Sequence, residues 1–436
     1  MSVLSSCLTL LALAAAPAPP AARPDPVLEQ LLAEAEAQAP ELRAVRAEQA
    51  AAEQQPAQAG VLPDPGLALT WINDGWSPSL GERDMSTLEL MLSQSLPPRG
   101  QRGLQRERAQ SEARAAATRV EAARRALRAA VKRAWAGLRQ ARAELALAHE
   151  QRELLAQVEG VARARYAVGQ GGQQDVLRAQ VELTRIETRL ATLEAEAAQR
   201  QAELNRRAGR ALETPVPDAQ ELLVDPVGED DEPWLVAVSA ASPELQARAV
   251  EQESARLDVD LAKVAGRPAW GLEAGYAYRG SLDPMWRAGL SLSLPVRRGR
   301  VAAGVAEAEA RRQSAAARQQ AQQADLALFA RQRLLALRSV ERSLTVYAQG
   351  LLPQGRLTIE AALASYQAGK TPFVTVLEAQ SSLYADRAAW LALLAGHATL
   401  RAGLEEIQVE SSALPVTAAA PGTGPRAAGA AMSMGR

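Results

Sequence analysis

Between Gln101 and Val168 the chain carries no proline, and apolar residues recur at heptad spacing: Val120, Leu127, Ala134, Ala141, Ala148 and Leu155. Val131, Leu138 and Leu145 fall between them. This spacing predicts one continuous helix with an apolar seam for a partner helix. A return arm repeats the seam with Val176, Leu183, Leu190, Ala197 and Leu204, plus Ala179, Ile186 and Leu193. At about 1.5 Å per residue the first arm is roughly 100 Å long. Helices of that length belong to coiled coils and tubes, not to ordinary globular domains.

Two other stretches have a period of two. Leu67, Leu69 and Trp71 alternate with Ala68, Thr70 and Ile72, and Leu88, Leu90 and Leu92 with Glu89, Met91 and Ser93. Further on, Trp270, Leu272, Ala274, Tyr276 and Tyr278 alternate with Gly271, Glu273, Gly275 and Ala277. Leu290, Leu292 and Leu294 alternate with Gly289, Ser291 and Ser293. These are strands with one apolar face, and Glu89 and Glu273 lie on the opposite one. Six of the 15 aromatics (Trp71, Trp76, Trp270, Tyr276, Tyr278, Trp286) fall in the two hairpins. An apolar outer face with aromatics and a polar inner face is the pattern of a transmembrane barrel. Four strands cannot close one, and open edges are not tolerated in lipid, so a barrel requires several chains. A soluble four-stranded sheet is the plainer alternative.

The whole pattern occurs twice. Ala39-Pro40-Glu41-Leu42 returns as Ser242-Pro243-Glu244-Leu245, and Ser95-Leu96-Pro97-Pro98-Arg99-Gly100 as Ser293-Leu294-Pro295-Val296-Arg297-Arg298-Gly299. Tyr166-x-x-Gly169 returns as Tyr366-x-x-Gly369, and Val176-Leu177-x-Ala179-Gln180 as Val376-Leu377-x-Ala379-Gln380. Motifs that recur in the same order near 200 residues apart, the last two at one shared offset of 200, indicate a tandem duplication. Each copy predicts a first helix (about 27–59 and 233–264), two strands, and a very long helix that breaks at Tyr-x-x-Gly and resumes. The expected fold class is mainly α with a small β part. Expected boundaries are 27–209 and 232–410 for the copies, with an acidic, Pro-rich linker at 210–231.

Residues Val3 to Ala16 form an apolar run ending in small residues, too short to span a membrane, so residues 1–18 read as an export signal. Leu4-Ser5-Ser6-Cys7 resembles a lipoprotein cleavage box, but almost no apolar segment precedes it, so Cys7 reads as discarded with the signal rather than acylated. From Ser411 to Arg436, Ala, Gly and Pro dominate, and a disordered tail is expected. A formal charge of −1 removes bulk electrostatic attraction to nucleic acid. One Cys and two unaligned histidines, His149 and His397, exclude thiolate zinc sites and disulfide frameworks. The two histidines read as solvated or packed helix residues. No nucleophile–base constellation or phosphate loop stands out, so no enzyme, metal or cofactor is expected.

Taken in order, these motifs resemble the TolC-like outer-membrane efflux proteins, from about residue 27 to about 410. Leu62-Pro63-Asp64-Pro65, Ser93-Gln94-Ser95-Leu96, Leu204-Asn205 with Gly209, and Leu352-Pro353-Gln354 add to the resemblance. Pro97-Pro98-Arg99-Gly100 leans towards the heavy-metal efflux branch, although no Met, His or Cys cluster accompanies it. The family implies a homotrimer with a twelve-stranded barrel in the outer membrane of a Gram-negative cell and a periplasmic helical tunnel. It implies a passive duct of a tripartite efflux or type I secretion system, docked by a periplasmic adaptor and an inner-membrane pump. A periplasmic or cytosolic coiled-coil scaffold or adaptor is the competing reading.

By the resemblance, the gate of the tunnel maps to Asp175, Tyr366, Lys370 and Glu378. Lys370 and Arg178 are the expected partners of the two carboxylates. The adaptor contact maps to Tyr166, Gly169, Val176, Leu177, Gly369, Val376 and Leu377. A role for Asp175 as N-cap or first-turn acid of its helix stays open beside the gate. The face expected in lipid comprises Leu67, Leu69, Trp71, Leu88, Leu90, Leu92, Trp270, Leu272, Tyr276, Tyr278, Leu290, Leu292 and Leu294.

Overall fold

The computed structural model of the chain describes residues 25–80, 85–218, 224, 226–228 and 230–406. The expected signal at 1–18 with Cys7, and the expected tail at 411–436, lie outside the described residues.

Each repeat opens with two helices where one was expected. Helices α1 (Pro26–Gln38) and α2 (Pro40–Ala59) part at Ala39, and α5 (Glu232–Ala241) and α6 (Pro243–Val264) part at Ser242. The cause is the proline that follows each junction, which bars its predecessor from helical geometry. Ala39 and Ser242 accordingly have ψ of 122° and 118°. Ser242 then caps α6, its hydroxyl accepting the Leu245 N–H at 3.3 Å. Asp25 does the same for α1, accepting from Val27 and Leu28.

The first arm is one unbroken helix, α3 (Gln101–Ala167), returning as α4 (Gln173–Ala208). Val131, Ala134, Leu138, Ala141, Ala148 and Leu155 on α3 are buried, as are Ile186, Leu190, Leu193 and Leu204 on α4. The second arm differs. Helix α7 (Arg298–Val346) passes through a π turn (Tyr347–Leu351) into α8 (Leu352–Gln367), and α9 (Phe373–Glu405) returns. Pro353 has no N–H and crowds the preceding turn, so regular α geometry is lost there. The motif offset also grows from 198 at Ser95/Ser293 to 200 at Tyr166/Tyr366, so the second arm carries extra residues.

Strands β1 (Gly66–Ile72), β2 (Thr87–Leu96), β3 (Ala269–Arg279) and β4 (Leu282–Ser293) form one antiparallel sheet in sequence order. The β2–β3 pairing joins the two repeats edge to edge. β1 and β4 therefore form its two outer edges.

Apolar cores lie along the helices. Leu31, Leu32, Val131, Trp135, Leu138 and Leu204 make one. Trp234, Val238, Leu326, Leu334, Leu337 and Leu404 make its counterpart in the second repeat. The start of the inter-repeat segment is tied to the first: Asn205, fully buried, donates to the carbonyls of Leu212 and Thr214 at 2.9 and 2.8 Å. Its far end is tied to α7, where Glu341 accepts the Val227 N–H and pairs with buried His397 at 3.0 Å.

Candidate functional site

The sheet register puts every expected lipid-facing strand residue on one face. Trp71 lies opposite Leu88, which lies opposite Tyr278. Leu69 faces Leu90, Leu90 faces Tyr276, and Tyr276 faces Trp286. Leu67 faces Leu92, Leu272 faces Leu290, and Trp270 faces Leu292. Most of these side chains are exposed in the single chain, with Leu88 half-buried. Leu294 is a correction: β4 ends at Ser293, so Leu294 lies exposed just beyond the strand. Aromatics cluster at the loop end (Trp71, Tyr276, Tyr278, Trp286), with Trp270 at the helix end, as interfacial belts require. The opposite face carries Thr70, Glu89, Ser93, Gly271, Glu273, Gly275, Arg287 and Ser291.

At the other end of the molecule both arms reverse through the same turn. Gly169 and Gly369 have φ of 75° and 74°, a conformation natural only to glycine. Gly169 N–H donates to the Tyr166 carbonyl and Gln170 N–H to that of Arg165, at 3.0 and 2.9 Å. In the second copy Gly369 donates to Tyr366 and Lys370 to Ser365 at the same distances. Each is a Schellman motif satisfying carbonyls that the helix end leaves free.

The side chains at the two turns are not equivalent. Tyr366 is 2 % exposed and Tyr166 49 %. Tyr366 packs in a small core with Val158, Ala162, Ala179, Ala362, Phe373 and Val376, and its ring centroid is 5.3 Å from that of Phe373. Its hydroxyl donates to Asp175 Oδ2 at 3.2 Å, across the two repeats. Burial first, and then the Asp175 carboxylate, push the Tyr366 hydroxyl pKa up, against a smaller lowering by Arg165. Arg165 stacks on the Tyr366 ring, 4.5 Å from its centroid, and donates to the carbonyls of Tyr366 and Gln170. Four groups on three helices and one turn are thereby locked together.

This arrangement corrects several expectations. Of the two helix-end roles open to Asp175 it takes that of first-turn acid, since the cap residue of α4 is Gly172, with no side-chain bond. Its partner is the Tyr366 hydroxyl and not Lys370 or Arg178. Lys370 and Glu378 are exposed and form no ion pair among the described residues. Val376 is fully buried, so it holds the tip together and offers no docking surface, while Leu377 is half-buried like Val176. Leu177, Tyr166, Gly169 and Gly369 are exposed, and Val176 partly so. Arg165 escaped the sequence reading because the second copy has Ser365 in its place, leaving no repeated motif to mark it.

The model of the family described as outer membrane efflux protein matches residues 31–210 and 234–407. The chain belongs to that family. No curated protein matches the sequence. Among solved structures, CusC is 20 % identical, with a TM-score of 0.74 over 87 % of this chain and 91 % of its own. VceC from Vibrio cholerae is 21 % identical, with a TM-score of 0.73 over 87 % of this chain and 95 % of its own. The MtrE channel from Neisseria gonorrhoeae, in its open state, is 18 % identical, with a TM-score of 0.73 over 88 % of each chain. The family places the protein in the outer membrane, as an efflux channel with a periplasmic helical extension. The sheet is thus the membrane part and the Tyr-x-x-Gly turns are the ends furthest from it.

Proposed function

We propose that three copies of this chain form the exit duct of a tripartite efflux system, open through the sheet and closed at rest by the helix tips. The observation carrying this reading is the pair of outer edges on β1 and β4. A sheet with a lipid-facing apolar side cannot leave backbone N–H and C=O groups unpaired in hydrocarbon. Joining β4 of one copy to β1 of the next closes twelve strands with every edge paired.

The repeat supports the same assembly along the helices. Helix α3 packs against α9 within the chain, with Gln380 donating to the Gln151 carbonyl and Arg387 bound to Glu150 at 2.5 Å. The equivalent face of α4 above its first turn stays open, presenting Gln180, Val181, Thr184 and Thr188. Helices α7 and α8 expose Leu328, Leu335 and Leu357. By duplication logic, α4 of one copy seats against α7 and α8 of the next. A periplasmic adaptor then meets the tips through Tyr166, Leu177 and the two glycine turns, and an inner-membrane pump supplies the substrate and the energy. The gate is the lock formed by Arg165, Tyr366 and Asp175, with Lys370 and Glu378 beside it.

The test is assembly and conductance together. Purified protein should run as a detergent-resistant trimer and insert into planar bilayers as a low-conductance channel. Val181→Glu with Thr184→Glu should dissociate it. A monomer that stays soluble without detergent would support the scaffold reading instead.

A further inference from the structure

Among the described residues, the middle of the sheet's polar face carries one ion pair and one carboxylate that forms none. Arg287 binds Glu89 at 2.8 Å, reaching from β4 across β3 to β2. It can lie along the wall because residue 275, between them, is glycine: a Cβ there would sit 3.3 Å from both the Arg287 side chain and Glu89 Oε1. Glu89 is buried beneath it. Glu273 is different. It forms no ion pair among the described residues, is exposed, and shares its row with Ser93 and Gly289. Its neighbours on the same strand face are Gly271 and Gly275. The Glu273 side chain lies over Gly289, where a Cβ would come within 3.8 Å of its Oε2, and its carboxylate stays exposed, with Met91 and Arg287 one row away.

We infer that Glu273, repeated in three copies, forms a carboxylate ring that makes the barrel lumen selective for cations and cationic substrates. The inference rests on the duct reading, which makes this face the lumen. Twelve strands about 4.8 Å apart and tilted by about 40° give a wall radius of roughly 12 Å. Side chains narrow that further, so the lumen radius falls within the screening length of about 10 Å at 0.1 M salt. No part of the cross-section then escapes the field of the ring. Glu89 and Arg287 largely offset one another, and Arg279 and Asp283 nearer the turn are opposite in sign. The net charge of the mid-wall is therefore that of Glu273. Charged rings of this kind set ion preference in pores.

Two measurements on the full-length trimer test this. In planar bilayers under a KCl gradient, Glu273→Gln should lower the potassium-to-chloride permeability ratio by about twofold or more, and Arg287→Gln should raise it. In a Cys7→Ser background, Glu273→Cys should react with a charged, membrane-impermeant thiol reagent, and Leu272→Cys should not. Labelling at 273 alone, with reversal potentials unchanged in both Gln variants, would overturn the filter while leaving the duct intact. Labelling at 272 and not at 273 would mean that the wall faces are reversed, and would overturn the duct reading as well.

Discussion

The Tyr366 hydroxyl reaches the Asp175 carboxylate across 191 residues of sequence and links the two hairpin tips at 3.2 Å. Tyr366 is held by an apolar tip core drawn from both repeats, and Asp175 by the first turn of α4. Removing the bond without removing the ring separates gating from folding. Tyr366→Phe should cost about 1 kcal/mol in tip stability and raise resting single-channel conductance, with trimers intact. Asp175→Asn with Glu378→Gln should do the same. Tyr366→Ala should cost about 3–5 kcal/mol, by analogy with other buried aromatics, and loosen the whole tip. Unchanged conductance in Tyr366→Phe would remove the lock from the gate.

Alkali should open the same lock. Burial and the Asp175 charge raise the Tyr366 pKa, so its contribution is complete below the ordinary tyrosine range near 10. It is lost as pH rises through the higher folded value. Conductance in wild-type channels should rise there, and the Tyr366→Phe channel should show no such step.

The glycine turns allow a comparison within one molecule. Gly169→Ala and Gly369→Ala both force a side chain into positive φ, at a cost of about 1 kcal/mol. Space around Gly169 is open, whereas a Cβ at Gly369 meets Arg165 Nη2 at 3.3 Å. Only the second should disturb the Arg165 stacking and raise resting conductance. Both should weaken efflux if an adaptor reads the turn, as measured by drug or ion susceptibility of cells with normal trimer levels.

On the sheet, Leu90→Arg places a charge on the lipid face at roughly 2–4 kcal/mol near mid-membrane, and Leu292→Arg, level with the interfacial Trp270, should cost less. Ser291→Arg points to the other face and should be much milder. Heat-modifiable migration of the trimer on gels measures both. An equal response from the two faces would contradict the register assignment.

At the sheet-proximal middle of the molecule, Glu36 on α1 binds Arg124 and Arg128 of α3, each at 2.8 Å. Burial acts to raise its pKa, but the two guanidinium hydrogen bonds and charges outweigh it and lower the value. Its stabilisation is therefore present above the ordinary glutamate value of about 4.3 and lost as pH falls through the depressed one. Amide exchange in α1 should accelerate over that acid range in wild type and already be fast at neutral pH in Glu36→Gln.

What could be read from the residues alone was whatever occurs twice or has a period. The heptad seams, the strand alternation and the glycine turns all carry such a signature, and the two faces of the sheet followed from the alternation. Pairings between unlike positions carry none. Arg165 faces Tyr366, and its own counterpart is a serine. His397 meets Glu341, and no second histidine marks the corresponding place. The helix splits at Ala39 and Ser242 were legible in principle from Pro40 and Pro243, but the helical periodicity on either side masked them. The π turn came from an unequal arm length that only motif offsets reveal.

The identical backbone of the two turns, dressed with different side chains, bears on how many partners a duct can seat. Three chains present six copies of one turn shape but only three exposed Tyr166–Leu177 faces and three buried Tyr366 locks. A partner that recognises backbone shape finds six seats around the ring; one that recognises the side chains finds three. Stoichiometry in a crosslinked complex, counted by native mass spectrometry, therefore reports which of the two surfaces is being read.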